Sequence, residues 1–144
     1  LCDSFILYKV GRYDIKGKQY LVTGSKYYAA DIGLHYFILG TKQADMGHIL
    51  ENIVYLELIR RGYEVHIGKV GDAEVDFIAI GAEGEEYYQV SQTVLEEQTL
   101  KRELSSLDAI KDHNPKYLLT MDYTPLTSYN GIKQINVLEW LLKK

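Results

Sequence analysis

The clearest periodicity in the chain runs from Gly47 to Arg61, where apolar residues recur at helical spacing until Gly62 stops the pattern. Three shorter runs follow, Tyr63–Lys69, Glu74–Ile80 and Glu86–Ser91, each of strand length. The turn-rich loop Gly81–Glu85 is expected to fold the third run back antiparallel on the second. Helical spacing returns from about Glu96 to Ile110, with Leu100, Leu104, Leu107 and Ile110 (or Ala109) as its apolar stripe. Lys101, Arg102, Glu103, Asp108 and Lys111 line its remaining, mostly solvated faces. Asp112-His-Asn-Pro115 breaks that helix, Lys116–Met121 and Gly131–Val137 read as strands, and Leu138–Leu142 as a closing helix. Ahead of the long helix, Phe5–Val10 reads as a strand and Tyr13–Val22 as a hairpin turning at Lys16-Gly17-Lys18. Tyr27–Ala30 is strand-like, Leu34–Leu39 is a short helix ended by Gly40, and Asp45 is the candidate cap of the long helix.

Three polar side chains stand where this pattern calls for apolar ones: Glu51, Asp76 and Gln89. Glu51 shares a helix face with Val54, Tyr55 and Leu58. A carboxylate there either has a partner or a cation, or lies at the stripe's edge bonded to a backbone group. Asn52, Glu57, Arg60 and Arg61 fall on the other faces as ordinary solvated residues. Alternation puts Val75, Phe77 and Ala79 on one face of their strand and Asp76, Ile78 and Ile80 on the other. Asp is disfavoured within strands, so Asp76 marks a specific job, a bulge or an edge. Gln89 and Ser91 share a face opposite Tyr88 and Val90. With Asp76 and Gln89 as cross-strand neighbours and Glu51 reaching in from a packed helix, the pattern is that of an acidic metal site laid on a helix and a β-hairpin.

Helix-Glu, strand-Asp and strand-Gln-x-Ser, in that order, resemble the core of the PD-(D/E)XK nuclease superfamily. More narrowly, Gly47–Val65 followed by Glu74-Val-Asp-Phe77, with Tyr27–Leu34 before and Gly131–Leu142 after, is similar to the uncharacterised domain at the C-terminus of prokaryotic AAA-type ATPases. The likeness covers nearly the whole chain. The fold it implies is α/β: a PD-(D/E)XK (restriction-endonuclease-like) core with a central mixed β-sheet flanked by helices, preceded by part of a winged-helix-like β-hairpin. Residues 1–40 are then a partial wing and connector, and residues 41–144 the nuclease-like domain. The resemblance also implies a cleft in which acidic side chains hold Mg²⁺, which activates water against a phosphodiester. Glu51 corresponds to the helix glutamate, Asp76 to the metal-ligand aspartate, Gln89 to the third ligand, and Ser91 to the superfamily's lysine position.

Two of these positions depart from the pattern. Gln89 offers only a neutral carbonyl oxygen, as in some members of the superfamily. Ser91 cannot supply the positive charge of a lysine, so that charge must come from elsewhere, with Lys69, Lys101 and Arg102 as candidates. The expectation is a C-terminal nuclease-fold domain of a cytoplasmic AAA-type ATPase, acting on or binding nucleic acid (DNA first) through a degenerate Mg²⁺-dependent phosphodiesterase site. The alternative is a catalytically inactive pseudo-nuclease that serves the N-terminal ATPase domain, or a partner protein, as an interaction or regulatory module.

Composition adds mainly exclusions. The 144 residues carry 16 Lys and Arg against 20 Asp and Glu, and a net charge of −4 does not favour a general nucleic-acid coat. Lys9, Arg12, Lys16, Lys18 and Lys26 nevertheless outnumber Asp3 and Asp14 near the start, as a solvated surface or a phosphate-touching face. The lone Cys2 excludes an internal disulfide and a cysteine-based zinc site, in keeping with a reducing cytosol. No run is long enough to cross a bilayer and none reads as a signal peptide. No Gly-x-x-x-x-Gly-Lys-Ser/Thr loop is present, so ATP hydrolysis is not expected of this stretch. His35, His48, His66 and His113 lack metal-site spacing, and Tyr55, Tyr87 and Tyr88 read as packing residues. The chain opens on Leu1 in an apolar stretch, which reads as a fragment of a longer protein.

Overall fold

The computed structural model describes residues 7–33 and 46–143. Its elements run β1 (Leu7–Asp14), β2 (Gln19–Ala29), α1 (Met46–Arg60), β3 (Glu64–Val70), β4 (Ala73–Gly81), β5 (Gly84–Val90), α2 (Glu97–Asp108), β6 (Lys116–Thr120), β7 (Thr127–Tyr129), β8 (Ile132–Asn136) and α3 (Val137–Leu142). The strands form one mixed sheet in the order β2-β1-β3-β4-β5-β6-β8-β7. β3, β4 and β5 make an antiparallel meander, while β6 lies parallel to β5 and β8 parallel to β6. The parallel step from β5 to β6 needs a crossover, which α2 supplies. The chain is therefore α/β with a central mixed sheet flanked by helices. The short β7, pairing with β8 just after Pro125, carries too few residues for an alternation to show in the sequence.

Two cores sandwich the sheet. On one face, Leu50, Val54, Tyr55 and Leu58 of α1 and Trp140 of α3 pack on Val65, Ile67, Phe77, Ala79, Tyr88 and Leu119. On the other, Leu107 of α2 and Ile110 pack on Val75, Ile78, Tyr87, Leu118 and Ile132. The stripe expected on α2 is the one buried, with Leu100 and Leu104 against the same cluster. Gly62, at φ +88°, ends the long helix as its position suggests. The expected helix Leu34–Leu39, the cap Asp45 and the boundary at residues 40 and 41 lie outside the described residues.

The N-terminal hairpin is where expected, turning between Asp14 and Gln19. It is hydrogen-bonded into the same sheet as the rest, β1 running parallel to β3 from Arg12↔Ile67 to Asp14↔Lys69. Val10 and Tyr28 share the core beneath α1. Asn52 fastens the helix to β2: its amide accepts from Ala29 N–H and donates to Ala29 C=O, both at 2.9 Å, in the manner of a neighbouring strand.

Three details differ from the sequence reading. Glu57 is buried rather than solvated, because Arg60 and Arg61 reach back along the helix to it at 2.6 and 2.9 Å. Those hydrogen bonds, Arg60's foremost, pull its pKa down to about 2 against the opposing effect of burial. Second, β4 does not alternate evenly: Gly68 pairs with Val75 but His66 with Ile78, so Asp76 and Phe77 together oppose Ile67. This bulge puts Val75 in the α2-side core with Ile78 instead of beside Phe77, and takes Asp76 out of line with Ile78 and Ile80. Third, β2 is interrupted between Leu21 and Lys26, so that residues 22–25 face the single Gly11 of β1. Gly24 sits there at φ +82° with the Arg12 guanidinium where a Cβ would project. The interruption resets which way Lys26 and Tyr28 point.

Gly24→Ala forces an alanine into the left-handed region and displaces Arg12. The expected result is a loss of about 1–2 kcal/mol in urea unfolding, with the far-UV circular dichroism of the native state retained.

Candidate functional site

The β4–β5 ladder ends at Phe77↔Tyr88, and beyond that pair the two strands part. Residues in the fork are tied by side chains instead of by backbone. Asp76 N–H donates to Gln89 Oε1 at 3.0 Å, and Val90 N–H donates to Asp76 Oδ2 at 2.8 Å. A polar cleft of about 360 Å³ opens here, lined by Glu51, Asp76, Gln89, Ser91 and Glu103 together with Gly47, His48, Val90 and Gln92. All four residues singled out in the sequence, Glu51, Asp76, Gln89 and Ser91, thus face one cleft.

Each is held by an identifiable neighbour. Glu51 projects from α1 towards β2, where Tyr28 O–H and the Lys26 ammonium (3.3 Å) both donate to Oε1. Tyr28 is stacked on Tyr55 at a centroid distance of 4.7 Å, which fixes its hydroxyl. Burial, and then the charge of Glu51, raise the Tyr28 pKa, so it stays a donor. Gln89 is committed at both ends, its Nε2 donating to Glu103 Oε2 at 2.8 Å. An N–H on one side and a carboxylate on the other leave its amide a single sensible orientation. Ser91 donates its hydroxyl to Thr93 C=O at 3.1 Å and brings no charge.

Glu103 was expected on a solvated face of α2. It is instead 9% exposed, lines the cleft, and takes Arg102 on Oε1 at 3.0 Å. The signal for it was faint: one acidic residue adjoining Leu104 and Leu107 on the helix, at a position any solvated glutamate would suit. Of the cations expected to stand in for Ser91, Lys101 pairs with Glu97 at the surface of α2 and Lys69 does not line the cleft. Arg102 reaches it only through Glu103, with its own side chain 73% exposed. Among the described residues, the cation that pairs with Glu51 is Lys26 of β2, which bridges Glu51 at 3.3 Å and Glu74 at 3.2 Å. Burial disfavours its charge, but Glu51, Asp76 and Glu74 more than offset that and hold its pKa above the ordinary lysine value.

The electrostatics centre on Asp76. Burial first, and then the charge of Glu51, push its pKa up to about 7, against the pull of the Val90 N–H and Lys26. Two carboxylates so placed repel each other unless a proton or a cation intervenes. Among the described residues neither Glu51 Oε2 nor Asp76 Oδ1 takes part in a hydrogen bond, so each acid presents one oxygen. Two carboxylates are donors of the kind a hard divalent cation takes, with waters completing its shell. No group of three or more His, Cys, Asp or Glu among the described residues is arranged to hold an ion by itself.

Comparison with known proteins identifies relatives without a stated activity. The chain is 43% identical over 141 residues to an uncharacterized protein of Haemophilus influenzae, a match covering 98% of this chain and 34% of the relative. It is 35% identical over 115 residues to an uncharacterized protein of Methanocaldococcus jannaschii, covering 76% of this chain and 25% of the relative. The chain thus spans between a quarter and about a third of the length of these relatives. No protein-family model and no solved structure matches it.

The raised pKa of Asp76 has a definite sign. From about pH 4 to about pH 7 the folded protein retains a proton that the unfolded chain has released, so stability falls as pH rises through that window. Asp76→Asn, which keeps an acceptor for Val90 N–H, is expected to flatten this dependence. Its urea midpoint should lie above that of the wild type at pH 8 and close to it at pH 4.

Proposed function

We propose that this chain is a PD-(D/E)XK-like nuclease-fold domain, belonging to a larger cytoplasmic AAA-type ATPase, with a pared-down Mg²⁺-dependent phosphodiesterase site that binds and cleaves nucleic acid. The observation that carries the reading is that Glu51 and Asp76 line one cleft at the fork of β4 and β5, each with one oxygen outside the hydrogen bonds made among the described residues. The α-β-β-β-α-β order from α1 to β6 and the polar lining agree with it. That the chain spans about a third of the length of the Haemophilus influenzae relative supports its being one part of a bigger protein.

In this reading Glu51 and Asp76 hold the ion, and when bound it supplies Lewis acidity to a phosphodiester and to the attacking water. The remaining residues prepare the place. Val90 N–H and Gln89 fix Asp76, Tyr28 and Lys26 orient Glu51, and Glu103 locks Gln89 in its orientation. Gln89 contributes through its hydrogen bonds, its carbonyl oxygen accepting from Asp76 N–H and its amide donating to Glu103.

A second reading, a pseudo-nuclease serving as an interaction module of the ATPase, draws support from the same Gln89 and from Ser91. The third ligand is tied up and the lysine position carries a hydroxyl. Co-purification of the separately expressed domain with the ATPase part, undiminished in Asp76→Asn, would favour that role.

Calorimetric titration with Mn²⁺ is expected to give one site in the wild type and none in Asp76→Asn or Glu51→Gln. The same two variants should lose Mg²⁺-dependent nicking of supercoiled DNA, and Glu103→Ala should lower it about 10–100-fold. A folded wild-type protein that takes up neither Mg²⁺ nor Mn²⁺ at millimolar concentration sinks the metal-dependent reading.

A further inference from the structure

The position where the superfamily's lysine would stand, just past β5 at Ser91, carries a hydroxyl and no charge. Resting on the phosphodiester reading above, we propose that Lys26, on β2, is the positive group that neutralises phosphate at this site, and that it orients Glu51 in doing so. The ammonium lies 3.3 Å from a carboxylate that lines the cleft, and its side chain is 35% exposed, so it is both anchored and open to a ligand. It is shared, not locked: Glu74 also holds it, at 3.2 Å. Once Glu51 is engaged by a divalent ion, Glu74 keeps the ammonium in place while its remaining donors turn to an anion.

The surroundings are built to keep it there. Arg12 grips Glu74 Oε2 at 2.9 Å, so an alternating chain of charges, Arg12–Glu74–Lys26–Glu51, leads from the hairpin to the cleft. The interruption of β2 opposite Gly11, with Gly24 making room for Arg12, sets the register in which Lys26 and Tyr28 share one face towards Glu51. Lys101 pairs with Glu97 and Arg102 with Glu103, and among the described residues Lys69 makes no ion pair with an acid of the cleft, whereas Lys26 does. A lysine in this role touches phosphate as a point charge and reads no base.

The role predicts two effects of opposite sign. In Lys26→Met the Tyr28 hydroxyl still holds Glu51 while a competitor for its charge is gone, so Mn²⁺ alone should bind as tightly as in the wild type or tighter. The same change should weaken binding of a fluorescein-labelled DNA duplex, measured with Ca²⁺ in place of Mg²⁺, severalfold and uniformly across sequences. It should also reduce the slope of log affinity against log salt by about 1, which loss of a merely structural ion pair would not do. Lys26→Arg should restore the slope. Lys26→Gln keeps a donor for Glu51 without the charge and stands in if Lys26→Met fails to fold. An unchanged salt slope in these neutral variants overturns the role of Lys26 while leaving the metal site intact. A wild-type protein that binds Mn²⁺ but no duplex overturns it as well, and one that binds neither overturns the underlying reading too.

Discussion

Where β4 and β5 part, two backbone N–H groups lose the partners that a continuing ladder would have given them. Asp76 N–H and Val90 N–H lie beyond the last pair, Phe77↔Tyr88, and the opposite strand's side chains receive them: Gln89 Oε1 and Asp76 Oδ2. A buried N–H without an acceptor costs about 1–3 kcal/mol, so this reciprocal pair of bonds is what lets the strands separate at all. It also explains why polar residues occupy the middle of otherwise apolar strands. The same bonds that hold the fork open anchor Asp76, which lines the cleft, by one of its oxygens.

Around that fork the charges are arranged in pairs across elements. Glu51 comes from α1, Asp76 from β4 and Glu103 from α2, so helices on both faces of the sheet contribute an acid to the fork between its two central strands. Their counter-charges are supplied by Lys26 to Glu51 and by Arg102 to Glu103, while Asp76 has hydrogen bonds but no ion pair among the described residues. Burial first, and then the charge of Glu51, raise the Asp76 pKa, and the Val90 N–H and Lys26 offset this only in part. The pairing across elements also accounts for the basic residues near the N-terminus, two of which are not a free surface: Arg12 and Lys26 are tied to Glu74 and Glu51.

The hairpin of β1 and β2 is consequently part of the site's framework. It joins the sheet beside β3, buries Val10 and Tyr28 under α1, and is clamped to the helix through Asn52. Tyr28 and Lys26 then meet Glu51 from the only side on which β2 can present them. At the other end of α1, Arg61 donates to the carbonyls of Trp140 and Lys143 and lies over the Trp140 ring at 4.4 Å. The helix that carries Glu51 is held at both ends by elements distant in sequence.

Local periodicity determined the helices, the order of the strands from β3 to β6, and the three misplaced polar residues, because spacing along the chain is all that such patterns need. Glu51, Asp76 and Gln89 stood out since each breaks an apolar run, and that anomaly survives without any knowledge of neighbours. What the pattern missed was decided by contacts across the sheet. The extra residue at Asp76 and Phe77 turned Val75 to the α2 side, and no alternation rule can foresee a bulge whose register is set by the partner strand. Glu103 and Lys26 read as ordinary surface charges until α2 packed against β5 and the interrupted β2 swung beside α1. A charge finds its counter-ion through space, and that pairing exists only once the chain has folded.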